Sequence, residues 1–115
     1  MSDDEIARFL ATQTTVMVIG APSSGAPNGA VGRFEYDDGA VAFVIHHDDP
    51  IVALLVEDDR ACCVVEQFPS YYEITGVMLH GRARRRGGAA PGEVAFDLSV
   101  DKVVSFDFAK LVTET

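Results

Sequence analysis

Residues Gly25–Val56 read GAPNGAVGRFEYDDGAVAFVIHHDDPIVALLV, and this stretch decides the fold. Asn28 to Tyr36 has the residue types of a strand, Asp37-Asp38-Gly39 supplies the acidic and glycine residues of a tight hairpin turn, and Ala40 to Ile45 is the returning strand. Side chains alternate across a strand, so Phe34 and Tyr36 share one face with Val41, Phe43 and Ile45 available beside them. Arg33, Glu35, Val44 and His46 belong to the other face, which is only partly polar. Asp48 or Asp49 can then cap a helix whose first residue is Pro50 and whose buried stripe is Ile51, Leu54 and Leu55. The helix stops at Glu57-Asp58-Asp59, where acidic side chains oppose its dipole.

Before this stretch, Ser2 with Glu5 three residues later has the form of a capping box, and Ile6, Phe9 and Leu10 follow at helical spacing. A short amphipathic helix over residues 3 to 11 is expected to plug one end of the core. Thr14 to Ile19, mostly β-branched, reads as the first strand, and the cluster from Gly20 to Gly25 is turn chemistry. After it, Ala61-Cys62-Cys63-Val64-Val65 is apolar on both faces, the mark of a strand covered on both sides. In a domain this small, one cover can be a second subunit. Phe68-Pro69-Ser70 reads as a loop, Tyr72 to Arg86 as a long strand with Gly76 and Gly81 as points of bending or bulging. Gly87 to Gly92 reads as a turn, followed by separate strands at Val94 to Val100 and Val103 to Phe108. The expected architecture is mainly β, with six or seven antiparallel strands and two short helices, closed into a small barrel that leaves no edges.

With 115 residues, 48% hydrophobic and 23% charged, the chain is expected to form one domain, 1–115, able to bury a single core without staples. Its net charge of −9 argues against nucleic acid, whose phosphates are met by a positive surface. The basic run Arg82 to Arg86 is too local to reverse that. Apolar runs are too short to cross a bilayer, and the acidic start Met1-Ser2-Asp3-Asp4-Glu5 is unlike a secretory signal, so a cytoplasmic protein is expected. Adjacent Cys62 and Cys63 point to opposite faces of a strand and read as reduced core residues, without the spacer of a CxxC motif.

Order and wording together resemble the pyridoxamine 5′-phosphate oxidase-like, FMN-binding split-barrel superfamily. The residues carrying the resemblance are Glu5 to Leu10, Gly25-Ala26-Pro27, Phe34 to Phe43, Asp59-Arg60-Ala61, Gly76 to Ala83 and Lys102 to Phe108. The resemblance implies a split β-barrel homodimer that binds FMN, or in some branches a deazaflavin or haem, at the subunit interface. It implies an oxidoreductase whose chemistry on a small organic substrate belongs to the cofactor. Cofactor contacts are implied at the end of the third strand and the start of the helix, from Arg33, Val44, Ile45, His46, His47 and Val52. A helix start suits a phosphate, because free N–H groups and the dipole favour an anion. Flavin-binding members usually carry Ser or Thr and Lys or Arg there, whereas this chain has Asp48, Asp49, Ile51 and Val52. The alternative is therefore a cofactor-free or haem-binding dimer with a binding or structural role.

No catalytic residue is assigned, because Ser, His and Asp occur without an elbow or triad signature. His46-His47 is not expected to bind metal, since neighbouring strand side chains diverge and no second ligand pair is suitably spaced. Arg82, Arg84 and Arg86 read as a solvated face balancing an acidic protein. For Arg33, an anion-binding role and a structural pairing with Glu35 or a neighbouring strand stand equal. Tyr71 and Tyr72 sit where a loop meets a strand, either lining a substrate pocket or packing at a dimer interface.

Overall fold

The computed structural model describes residues 1–20, 22, 25–70 and 73–107. Helix α1 (Asp3–Ala11) is followed by strands β1 (Thr15–Gly20), β2 (Asn28–Asp37) and β3 (Ala40–His46). Helix α2 (Pro50–Glu57) precedes β4 (Arg60–Ser70), β5 (Glu73–Arg86) and β6 (Glu93–Asp107). The strands close into an antiparallel barrel in the order β1-β2-β3-β6-β5-β4, with β4 returning to β1. Among the described residues no helix is long and apolar enough to cross a membrane.

Local chemistry accounts for the start of the chain. Ser2 accepts from Glu5 N, Glu5 returns a carboxylate to Ser2 N, and the capping box is complete. Leu10 is buried, with Ile6 and Phe9 packed against the core, so the apolar face of α1 covers part of it. The β2–β3 hairpin turns on Asp38 and Gly39, both at positive φ (47° and 90°). Two positive-φ residues between the strands give the twist that suits a two-residue hairpin.

The barrel interior is filled by one face of each strand. Phe43 and Phe96, directly opposite on β3 and β6, are fully buried and stack with centroids 5.3 Å apart. Val16 and Val18 of β1, Cys63 and Val65 of β4, and Val77 and Leu79 of β5 complete the middle of the core. Burying each such side chain contributes about 1.5–3 kcal/mol, so this layer carries most of the stabilisation. Helix α2 covers the barrel wall through Ile51 and Leu55, with Leu54 lying over Gly20 at a separation a Cβ would close to 2.5 Å.

Two expectations from sequence are corrected. Phe68-Pro69-Ser70 is not a loop: β4 runs to Ser70, and the ladder with β5 shifts register between Gln67 and Ser70 instead of ending. Proline lacks a ladder donor and is tolerated at such an irregularity. Val94 to Val100 and the following strand are one element, β6, because β5 pairs along its whole length and absorbs the break as a register shift at His80/Gly81. The strand count is therefore six among the described residues. Tyr71, Tyr72 and Phe108 lie outside the described residues.

At that shift, a Cβ on Gly81 would run into the backbone carbonyl of Ser99. Backbone cannot rotate away as a side chain can, so Gly81→Ala is expected to cost about 1–3 kcal/mol. Urea unfolding should show a lower midpoint at unchanged slope. Gly87→Ala, whose Cβ meets open space, should stay within about 0.5 kcal/mol of the parent.

Candidate functional site

The end of β3, the turn at His47–Asp49 and the first turn of α2 form the candidate site. Asp49 is the N-cap: its side chain accepts from Ile51 N at 3.0 Å, its carbonyl accepts from Val52 N at 3.1 Å, and its own N–H bonds His46 O at 3.0 Å. Of the two candidate caps, Asp49 therefore does the capping. Asp48 turns instead toward the histidines, with Oδ1 3.0 Å from His47 Nε2 and its backbone N donating to His46 Nδ1 at 3.2 Å.

The pairing of β3 with β6 brings in residues that no local pattern marks. His46 is registered with Glu93, and Gly92 O accepts from His47 N at 2.9 Å while lying 3.0 Å from His47 Nδ1. Glu93 also accepts two bonds from Arg33, at 3.0 and 3.5 Å, and Glu35 lies 3.7 Å from Arg33 Nε. Glu93's bond and charge, with Glu35 behind them, raise the Arg33 pKa further and hold its guanidinium charged. Arg86 continues this chain of charge, donating to Glu35 at 2.9 Å and to Asp97 at 3.0 Å. Along this outer wall Ala42, Val44 and Ala95 are buried beside the ionic groups.

The implied cofactor residues thus separate. Arg33, His46 and His47 gather at the end of β3, but Arg33 is already paired with carboxylates, the structural role that stood equal to anion binding. Val44 is buried on the outer wall, Ile45 is buried with the core cluster, and Val52 is partly buried against it. Tyr71 and Tyr72 are not described. His46 and His47 do not diverge as expected: β3 ends at His46, the chain turns, and the rings meet with centroids 4.9 Å apart.

At the α2 start these residues do not fit a flavin phosphate. The Ile51 N–H is taken by the Asp49 carboxylate, and the first turn has no basic residue. Asp48 adds a second carboxylate, and Arg33 is neutralised by its partners. Two nearby clefts include neither histidine nor Asp48. One of about 470 Å³ is lined by Arg85, Arg86, Gly87 and Glu93; the other, of about 560 Å³, lies between α2 and Pro22, Gly25 and Ala26.

A second feature lies across the barrel on its outer face. Val31, Met17, Val64, Met78 and Val104 are successive cross-strand partners on β2, β1, β4, β5 and β6. Val31 is 65% exposed, Met17 42% and Val104 37%. Val64 of the two-sided stretch Ala61–Val65 lies on this band, whereas the outward Val44 of β3 is already buried within one chain. On the next row Cys62 meets His80, Sγ to Nε2 at 3.9 Å, with Arg60 and Arg82 lining the same cleft. Arg82 is paired with Asp59 at 2.6 Å, as the reading of Arg82, Arg84 and Arg86 as a balanced surface anticipates.

No protein-family model and no curated protein matches the sequence. Solved structures do. An FAD-binding protein from Mycobacterium smegmatis superposes with a TM-score of 0.77 at 11% identity, over 94% of this chain and 96% of that one. A provisionally assigned pyridoxamine 5′-phosphate oxidase from Listeria innocua gives 0.70 at 12% identity, over 89% and 95%. A haem-binding protein from M. smegmatis gives 0.74 at 17% identity over 92% of this chain, which spans 54% of that protein's length. The fold is therefore that of the pyridoxamine 5′-phosphate oxidase-like split barrels, as the sequence resemblance implied.

Both cysteines are free, on opposite faces as expected. Burial pushes the Cys63 thiol up to about 12, with Cys62 adding to the effect, and burial also raises Cys62. Only the thiolate attacks, so a raised pKa means a slow thiol. In the folded protein at pH 8, Cys63 should not react with Ellman's reagent, and in urea both should. Any Cys62 reaction should climb about tenfold per unit between pH 7 and 9, the thiolate fraction below its pKa. A plateau below pH 8 would instead mark a Cys62 activated by His80.

Proposed function

We propose that the protein is a homodimeric split barrel that binds a flavin-type cofactor, FMN or a deazaflavin, and uses it in redox chemistry on a small organic substrate. The observation that carries this reading is the match of nearly the whole chain to an FAD-binding protein of almost the same length. When bound, such a cofactor supplies hydride transfer, and the protein supplies orientation and surroundings. The apolar band from Val31 to Val104 offers surface for a partner subunit, and an interface between barrels is where an apolar ring system finds cover. Because the α2 start repels phosphate, this chain is expected to hold FMN less tightly than a barrel with a basic residue there.

One observation favours a second reading, a cofactor-free or haem-binding dimer: Asp48, Asp49 and the sequestered Arg33 occupy the place of a phosphate grip. A fluorescence titration of the purified protein with FMN, FAD and a deazaflavin, with haem followed by absorbance, separates the two. Micromolar binding of a flavin is expected on the first reading. A Soret shift alone, or no binding at all, moves the second into first place. Asp48→Ser combined with Val52→Lys removes one negative charge and adds a positive one whose stem can snorkel from the half-buried site. FMN affinity should rise about tenfold, equivalent to about 1.4 kcal/mol. Unchanged affinity would remove the α2 start from consideration as the phosphate position.

Dimerisation has its own check. Light scattering should give twice the chain mass, and Met17→Glu with Val31→Glu, placing two charges on the most exposed residues of the apolar band, should give a monomer. A monomeric parent protein removes the basis for the interface.

A further inference from the structure

We propose that His46, His47 and Asp48 form a site for a divalent transition-metal ion of the zinc type, at the turn between β3 and α2. One donor atom from each residue lies within 4.8 Å of the other two. Asp48 is the hinge of the set, with Oδ1 at 3.0 Å from His47 Nε2 and Oδ2 at 3.9 Å from His46 Nδ1. Donors bound to zinc at about 2.0–2.1 Å in a tetrahedron stand about 3.3 Å apart, and the three donors here lie within 4.8 Å of one another before any ion draws them in. All three side chains are exposed and can rotate to close the remaining difference. Two imidazoles and a carboxylate favour zinc, nickel or copper over calcium or magnesium, which take oxygen ligands.

An independent feature points the same way. His47 Nδ1 lies 3.0 Å from Gly92 O, an atom that can only accept. The Nδ1 proton is therefore assigned to that bond, leaving the Nε2 lone pair aimed at a carboxylate oxygen 3.0 Å away. A proton on Nε2 or a metal ion beside it would each satisfy this pair, and the metal ion is the one that would also engage His46. A ring N–H held by a backbone carbonyl is also the arrangement that orients metal-bound histidine. Gly92 O accepts the His47 backbone N–H as well, at 2.9 Å, so the ring is anchored to the residue that leads into β6 and not by its own turn alone. His46 Nδ1 accepts Asp48 N–H at 3.2 Å; it thus presents a lone pair, and a metal would replace that long bond. Three protein donors leave a fourth position for water or a ligand. The site rests on these residues alone and stands whether or not the barrel takes a flavin.

The test is a calorimetric titration of the tag-free full chain with Zn²⁺, repeated with Co²⁺ and followed by its visible absorption. One ion per chain is expected. His46→Ala, His47→Ala and Asp48→Asn should each weaken binding at least about tenfold and alter the Co²⁺ spectrum. His80→Ala, beside Cys62 on another row of the barrel wall, should leave both unchanged. Thermal unfolding of the metal-free variants should match the parent, because the three side chains are exposed. Absence of stoichiometric binding, equal affinity in the three variants, or loss of binding in His80→Ala overturns the proposal.

Discussion

The ladder between β3 and β6 is the constraint on which the rest of the molecule depends. It joins segments far apart in the chain, so closing it costs loop entropy that local contacts do not repay. The return comes from what it buries, with Phe43 stacked on Phe96 at the centre and Val41, Ile45, Val94 and Leu98 around them. Once that register is set, every residue of the candidate site has its neighbour. Glu93 falls opposite His46 and within reach of Arg33, and Gly92 O falls against His47. The core and the site are consequences of one pairing, and a one-residue slip would exchange inner and outer faces and undo both.

The outer wall is divided by chemistry. Over β2, β3, β6 and the end of β5, alternating Arg33, Glu93, Glu35, Arg86 and Asp97 cover small buried side chains. Exposed pairs of this kind contribute only about 0–1 kcal/mol each, so their larger effect is to make this side of the barrel polar. Over β1, β4 and β5 the charges are replaced by Met17, Val64 and Met78, with Val31 and Val104 at the ends. With nine basic residues against eighteen acidic ones, the chain has few cations. Arg33, Arg82 and Arg86 are spent on internal pairs, which leaves little positive surface for an anionic ligand.

How legible this was in sequence follows the range of each interaction. The capping box of α1, the Asp38–Gly39 turn, the Phe34/Phe43 face and the Pro50 start of α2 are encoded within a few residues, and each was readable. The end of β4 and the continuity of β6 depend on what β5 offers across the ladder, so turn-forming Pro69 and polar Asp101-Lys102 misdirected a local reading. The same holds at the site. Arg33 and the histidines were visible as residue types, but their partners Gly92 and Glu93 arrive only through β3–β6 pairing. The expected divergence of His46 and His47 assumed that both lie on a strand, whereas the strand ends between them. A signal for that end was present in Asp48-Asp49-Pro50, since a capped helix needs its chain to leave the sheet first.

That capped helix also bears on what the site can do. A helix start without a capping side chain leaves free N–H groups, and an arriving anion then gains both the dipole and the bonds. In this chain Asp49 has already satisfied Ile51 N, and Pro50 at the first position has no donor to offer. α2 is therefore complete without a ligand, and an anion would have to displace a covalently tethered carboxylate beside a second one. The electrostatic preference at this end of the barrel is for positive charge. The carboxylates of Asp48 and Asp49 favour a cation over an anion at the junction of β3 and α2, where ring nitrogens of His46 and His47 lie 3.9 and 3.0 Å from the Asp48 carboxylate.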